Sequence, residues 1–301
     1  VQLQDYILQV QELLHDLSGV DWTQSELTNA VNGARTRVAL DTHCVRKLYS
    51  TYVAPNQFGG STITQQETYP LTGGVMGVTL TAGGSGFTSA PTVTIDPPPA
   101  GGTQARAFAV ITGGAVTQIN MSSWGSGYVS TPNVVISGGG GTGATGTAVA
   151  MFNVFDVKAI SVIWGVQRWT ASWLPFQAYQ AFMRANTSQF RYPGVWTVFW
   201  EMQQIYLYPV PDQPYGLDIE AVSTPNALAN LADVDTQVIA PVNDAVQFYA
   251  ANLLISKMQN TQMNDYWEKR YERRLFQLLA TKNSARTMNT YNTWRRRVAR
   301  L

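Results

Sequence analysis

VTLTAGGSGFTSAPTVTI, residues 78–95, and TQINMSSWGSGYVSTPNVVI, residues 117–136, are two copies of one pattern. Gly84-Ser85-Gly86-Phe87 and Gly125-Ser126-Gly127-Tyr128 lie 41 positions apart. At the same offset Val78 falls on Ile119, Pro91 on Pro132, Val93 on Val134 and Ile95 on Ile136. Apolar and small polar residues alternate with period two, which predicts half-buried strands. Glycine permits positive φ in each turn, and proline sets the start of the following strand. The copies therefore read as strand, glycine turn with an aromatic, strand. PPPAGGTQA and SGGGGTGATGTA read as connectors of loop plus strand. The run GGGGTG lacks the Lys-Ser/Thr and the following helix of a phosphate-binding loop.

These repeats lie in a block of distinct composition. Between Gly74 and Ala150 are 17 of the 25 glycines and only two charged residues, Asp96 and Arg106. The flanking sequence has helical periodicity. Residues 3–17 place Ile7, Val10, Leu14 and Leu17 on one face, and Ser18-Gly19 ends the helix. Thr23-Gln24-Ser25-Glu26 is a capping box. The helix it opens carries Leu27, Val31, Ala34, Val38, Val45 and Leu48 and is expected to reach Tyr49; residues 52–70 read as extended. VKAISVIW reads as a strand, and Trp173-Leu174-Pro175 introduces a short helix to about Ala185. VWTVFWEM, QIYLYPVP and GLDIEAVST read as a meander, and two helices, from Pro241 or Asn243 and from Met263 to about Thr281, follow. The expected fold class is α+β, an α-helical bundle with a β meander or hairpin, plus an inserted all-β repeat domain. The expected domains are a body of residues 1–72 and 151–281, an insert of 73–150, and a basic tail of 282–301.

The 301 residues are 45% apolar but only 13% charged, about half the customary quarter. A chain so poor in charge is expected to cover much of its surface with other chains. Net charge is +1, yet residues 1–267 carry 10 Lys+Arg against 17 Asp+Glu, and residues 268–301 carry 10 against 2. One cysteine, Cys44, excludes an internal disulfide framework and a multi-cysteine zinc site. No apolar run is long enough for a membrane helix, and VQLQDYILQ lacks the marks of a secretory signal.

Catalytic chemistry has few candidates. His43 and Cys44, neighbours on the expected helix, point about 100° apart and would not form a nucleophile–base pair. Asp218 and Glu220 share a strand face, as a glycosidase pair would, but read as solvated acids. Asp233 and Asp235 lack a calcium-loop frame and read as capping or solvated. No catalytic residue, metal or cofactor is expected. Trp164, Trp169, Trp173, Trp196 and Trp200 crowd into 37 residues, which suits a core plus a subunit interface. Lys269, Arg270, Arg273 and Arg274 lie on the last helix with Glu268 and Glu272 as local partners. Beyond them Met288, Tyr291, Trp294, Val298 and Leu301 alternate with Arg286, Arg295, Arg296, Arg297 and Arg300. That tail reads as a docking peptide for an acidic, grooved partner.

Order and spacing of the body's segments resemble the head-to-tail adaptor proteins of tailed bacteriophages. The likeness runs through DYILQVQELLHD, Trp22, SELTNAVNGARTRVALDTHCVR, the turn at Arg168, LPFQAYQAFMRAN and YPGVWTVFWEMQQIYLYPVPDQPYGLDIEAVSTP, then the closing helices and basic tail. The insert looks like GSGY-and-proline repeats that decorate phage virion proteins; typical adaptors lack such an insertion. The resemblance implies a non-enzymatic virion protein made in the bacterial cytoplasm. It would form a homo-oligomeric ring, usually of twelve subunits, at the head–tail connector. The ring would bind the portal protein above and a tail or nozzle protein below, and pass double-stranded DNA without reading its sequence or touching a membrane. Trp294, Arg295, Arg296, Arg297 and Arg300 match the family's portal-gripping segment by position. An alternative role is carbohydrate binding or tail-spike or nozzle attachment through the insert, with Phe87, Trp124 and Tyr128 as surface aromatics.

Overall fold

The computed structural model describes residues 1–16, 18–53, 56–57, 63–64, 68–185, 191–213, 215–238, 240–258 and 261–284. Two helices come first, α1 (Leu3–Leu14) and α2 (Gln24–Thr42), followed by strands β1 (Arg46–Val53), β2 (Asn56–Gln57), β3 (Ile63–Thr64) and β4 (Thr68–Pro70). The glycine-rich block contributes β5 (Val75–Ser85), β6 (Thr92–Ile95), β7 (Arg106–Thr112), β8 (Ala115–Ser123), β9 (Val134–Ser137) and β10 (Thr142–Ala150). Then come β11 (Val154–Trp164), β12 (Gln167–Thr170), β13 (Ser172–Trp173), α3 (Phe176–Ala185), β14 (Val195–Phe199), β15 (Gln204–Tyr208) and β16 (Tyr215–Ser223). A 3-10 turn at Val242–Ala245 leads into α4 (Val246–Lys257), and α5 (Thr261–Ser284) follows.

Strand outweighs helix among the described residues, about 38% against 29%, which corrects the expectation of a body dominated by an α-helical bundle. Two local features differ from the expected layout. First, α2 stops at Thr42 because His43 takes the left-handed conformation, φ 49°, and its amide bonds back to Ala39 O. RKLYSTYV then runs as β1, its β-branched and aromatic residues paired along β16 from Arg46↔Val222 to Val53↔Tyr215. His43 and Cys44 consequently lie beyond the helix end, not on it. Second, the expected meander is divided between sheets. β14 pairs with β15, whereas β16 lies between β1 and β11.

The chain forms two compact units, residues 1–45 with 224–301, and residues 46–223. In the first, α1, α2, α4 and α5 enclose a core that includes Leu3, Tyr6, Val10, Val31, Val38, Val246, Leu254 and Tyr271. The capping box opening α2 is present: Glu26 N donates to Thr23 Oγ1 at 3.3 Å, and Thr23 N donates to Glu26 Oε2 at 3.2 Å. In the second unit, the sheet β1-β16-β11-β12 and the sheet β13-β14-β15-β4 share a core containing Ile160, Val162, Trp196, Ile205, Leu217 and Ile219.

The glycine-rich block pairs its strands reciprocally. β6 and β9, equivalent strands of the two repeats, lie antiparallel with Val93 opposite Ile136 and Ile95 opposite Val134. After the first repeat, β7 pairs with β8 of the second; after the second, β10 returns to pair with β5 of the first. Val75 and Ala150 are partners, so the block begins and ends on adjacent strands.

The glycine turns follow the same internal symmetry. Gly84 and Gly125 have φ of 63° and 64°. A Cβ on Gly84 would lie 2.3 Å from Thr142 O, and one on Gly125 would lie 2.5 Å from Thr103 O. Only glycine fits either place. Thr103 and Thr142 are thereby equivalent, each within a GGT-x-A run, GGTQA and GGTGA, at an offset of 39. The segments read as connectors are thus part of the repeat.

Candidate functional site

Aromatic residues of the insert occupy different environments from those expected. Phe87 and Tyr128 are only 6% and 5% exposed and pack in the insert core with Val75, Ile95, Ile119 and Met121. Their turns fold the rings inward across the sheet, so they are not surface residues. The Tyr128 hydroxyl accepts from Ala105 N at 2.9 Å and donates to Asp96 O at 3.0 Å. Trp124 is half-buried and packs against both the insert core and the core of the neighbouring sheets, its ring 5.4 Å from that of Tyr69. It lines a cleft of about 470 Å³ with Thr68, Thr72, Ser126 and Gln203. A sugar platform made of all three aromatics is therefore not present, because two of them are committed to packing.

Of the two expected carboxylate pairs, Asp218 and Asp235 are buried and bound, Glu220 stays partly exposed, and Asp233 caps a turn. Asp218 is buried, accepts from Ser50 Oγ at 2.6 Å and forms an ion pair with Arg168. Glu220 pairs with Arg46 at 3.0 Å. Asp233 accepts from the amides of Ala229 and Asn230, both at 2.8 Å, as a turn cap does. Asp235 is different: it faces a fully buried Arg35, with Nε to Oδ2 at 2.7 Å and Nη2 to Oδ1 at 2.8 Å. The Tyr6 hydroxyl donates to the same Oδ2 at 3.2 Å, and Arg35 Nη1 donates to Asn226 O at 2.8 Å. Burial alone would raise the Asp235 pKa, but the Arg35 guanidinium and the amides of Val238 and Gln237 outweigh it and hold the carboxyl below its usual range. The same burial and the nearby Asp235 push the Tyr6 phenol well above its usual range. Sequence reading missed Arg35. The available signal was its position eight residues after Leu27 and four after Val31, on the buried face of α2. These contacts tie α1, α2 and the 226–238 segment together.

The tryptophan group divides between core and surface. Trp196 is buried with Nε1 donating to Ala171 O at 3.1 Å. Trp164, Trp173 and Trp200 are exposed, Trp173 by 57%, and Val166 and Met202 are exposed at the adjoining turns.

Among the described residues, α5 carries a cluster of charges. Arg270 lies over the rings of Phe248, Tyr266 and Trp267 at 5.6, 5.7 and 5.9 Å, and its Nη1 donates to the Tyr266 hydroxyl. Such stacking fixes a guanidinium while leaving its edge available to an anion. Arg274 is paired with Asp244 at 2.6 Å. Among the described residues, Lys269 and Arg273 have no carboxylate within 4.0 Å; Glu268 and Glu272, expected as their partners, make no such ion pair. Lys269, Arg270, Arg273 and Arg274 line a cleft of about 470 Å³ with Phe248, Tyr266 and Gln277. The docking residues Trp294, Arg295, Arg296, Arg297 and Arg300 lie outside the described residues.

Among the described residues no three His, Cys, Asp or Glu side chains gather as a metal site would require, and no helix is long and apolar enough to cross a membrane. Compared with protein-family models the chain matches none, and no curated protein matches it.

Proposed function

We propose that this protein is a ring-forming head-to-tail adaptor of a tailed bacteriophage, joining the portal to the tail around the genome channel. The observation that carries the assembly part of this reading is the set of large apolar side chains at hairpin ends: Trp164 and Val166 beside one turn, Trp200 and Met202 beside another, with Trp173 nearby in sequence. Tryptophan contributes large buried area and is enriched where interfaces bind most tightly. A low charge content supports the same reading, because a surface with few Lys and Glu side chains is suited to coverage by neighbours.

The adaptor assignment itself rests on the order and spacing of the body segments. In this reading the basic C-terminal segment grips the portal, with Trp294 as an apolar anchor and Arg295, Arg296, Arg297 and Arg300 as carboxylate partners. The role is geometric: each subunit fills one sector of an annulus through which DNA passes.

The test is native mass measurement and cryo-EM class averaging of the full chain, with and without the portal protein of the same genome. The expected result is a closed ring that adds to the portal, and loss of portal binding when the chain ends after Ser284. A chain that stays monomeric and ignores the portal defeats the proposal.

A further inference from the structure

The charge asymmetry of the chain is confined to one compact unit. Residues 46–223 carry seven basic and seven acidic residues. In the other unit, residues 1–45 and 224–267 carry three basic and ten acidic residues, while residues 268–301 carry ten and two. Several of those acids are buried or paired within the unit, Asp16 and Asp235 among them, whereas Asp5 and Glu12 are exposed on α1 and Lys269 and Arg273 on α5.

Each surface has an ordered apolar component. On α5, Tyr266, Lys269, Arg273 and Phe276 are spaced i, i+3, i+7 and i+10 and all are exposed, Phe276 by 75%. That spacing puts them on one stripe of the helix. On α1, Asp5, Leu8 and Glu12 are spaced i, i+3 and i+7, and these too are exposed. Asp5 accepts from Gln2 N at 2.7 Å and serves the N-terminus of its own helix. Glu12 has no ion pair among the described residues, as is the case for Lys269 and Arg273.

We propose that the Tyr266–Lys269–Arg273–Phe276 stripe of α5 docks on the Asp5–Leu8–Glu12 stripe of α1 in a second copy of this chain. Lys269 and Arg273 meet Glu12, and Phe276 packs with Leu8. Arg270, fixed by its three rings, presents a further set of donors beside the contact. The two patches differ, so the contact is heterologous and propagates from copy to copy until it closes or forms a filament. This deepens the assembly part of the adaptor reading and rests on it; the portal-gripping role of the tail is a separate matter.

The experiment uses the full chain and measures self-association by sedimentation velocity and native mass at low ionic strength, where charge pairing is least screened. Lys269→Glu with Arg273→Glu weakens association by about tenfold or more, and so does Glu12→Lys alone. Combining all three substitutions restores it. Circular dichroism and melting temperature near those of the parent show that each variant folds. Four outcomes overturn the proposal. They are a parent that remains monomeric at its highest soluble concentration, charge variants that assemble as the parent does, a folded triple variant that does not recover, and charge variants that lose only binding to duplex DNA. Loss of portal binding on truncation after Ser284, with assembly unchanged, bears on the tail alone and leaves this contact supported by the rescue.

Discussion

Arg35 and Asp235 meet in a two-pronged ion pair inside the helical unit, 200 residues apart in sequence, at 2.7 and 2.8 Å. Both side chains are almost wholly removed from solvent. A buried charge that loses its partner retains its desolvation cost, so removing one member is more damaging than removing both. Arg35→Met is expected to lower stability by about 3–5 kcal/mol, measured by urea unfolding. Arg35→Met with Asp235→Leu should cost less than the single change. A single variant as stable as the parent would show that the pair does not anchor the 226–238 segment.

The same pair sets an acid dependence. Asp235 has a lower pKa folded than its ordinary 3.8. Its contribution is present above that value and is lost as pH falls through the lower, folded value. The stability gap between the parent and Asp235→Asn should therefore be widest near neutral pH and narrow as pH drops below about 4. Urea midpoints collected from about pH 7 to about pH 3 check this, and a gap that widens on acidification contradicts it.

Gly84→Ala and Gly125→Ala should be comparably harmful. Each methyl group would be driven against a carbonyl oxygen, Thr142 O or Thr103 O, at a backbone conformation unfavourable for a side chain. The expected cost is roughly 1–3 kcal/mol or more for each. Thermal melts of the two variants provide the comparison, and a large inequality would count against equivalence of the two turns.

Tyr128→Phe removes a hydroxyl that serves the Ala105 amide and the Asp96 carbonyl. Leaving the buried amide unpaired should cost about 1–3 kcal/mol. Hydrogen exchange of the Ala105 amide should accelerate in the variant; unchanged protection would mean that the hydroxyl carries none of the load.

How much of this was legible in sequence depends on the range of the determining contact. The capping box at Thr23 and Glu26 and the GSG turns are local, and their patterns predict them. The end of α2 is not: Val45 and Leu48 continue a helical spacing, but the left-handed His43 and the pairing of β1 with β16 override it. β16 likewise joins strands remote in sequence, and nothing in GLDIEAVST distinguishes that from a hairpin with QIYLYPVP. Phe87 and Tyr128 look like display aromatics beside flexible glycines, yet those glycines are what let the chain turn the rings into the core. The GGTQA and GGTGA runs were a readable extension of the repeat, obscured by a change of offset from 41 to 39.

Val75 and Ala150 face each other on β5 and β10, and just outside them Gly73 N donates to Met151 O at 3.2 Å. Paired backbones in an antiparallel ladder are only about 5 Å apart. The block therefore leaves and re-enters the chain through adjacent backbones, while Trp124 and Met76 carry its packing into the core of the flanking sheets.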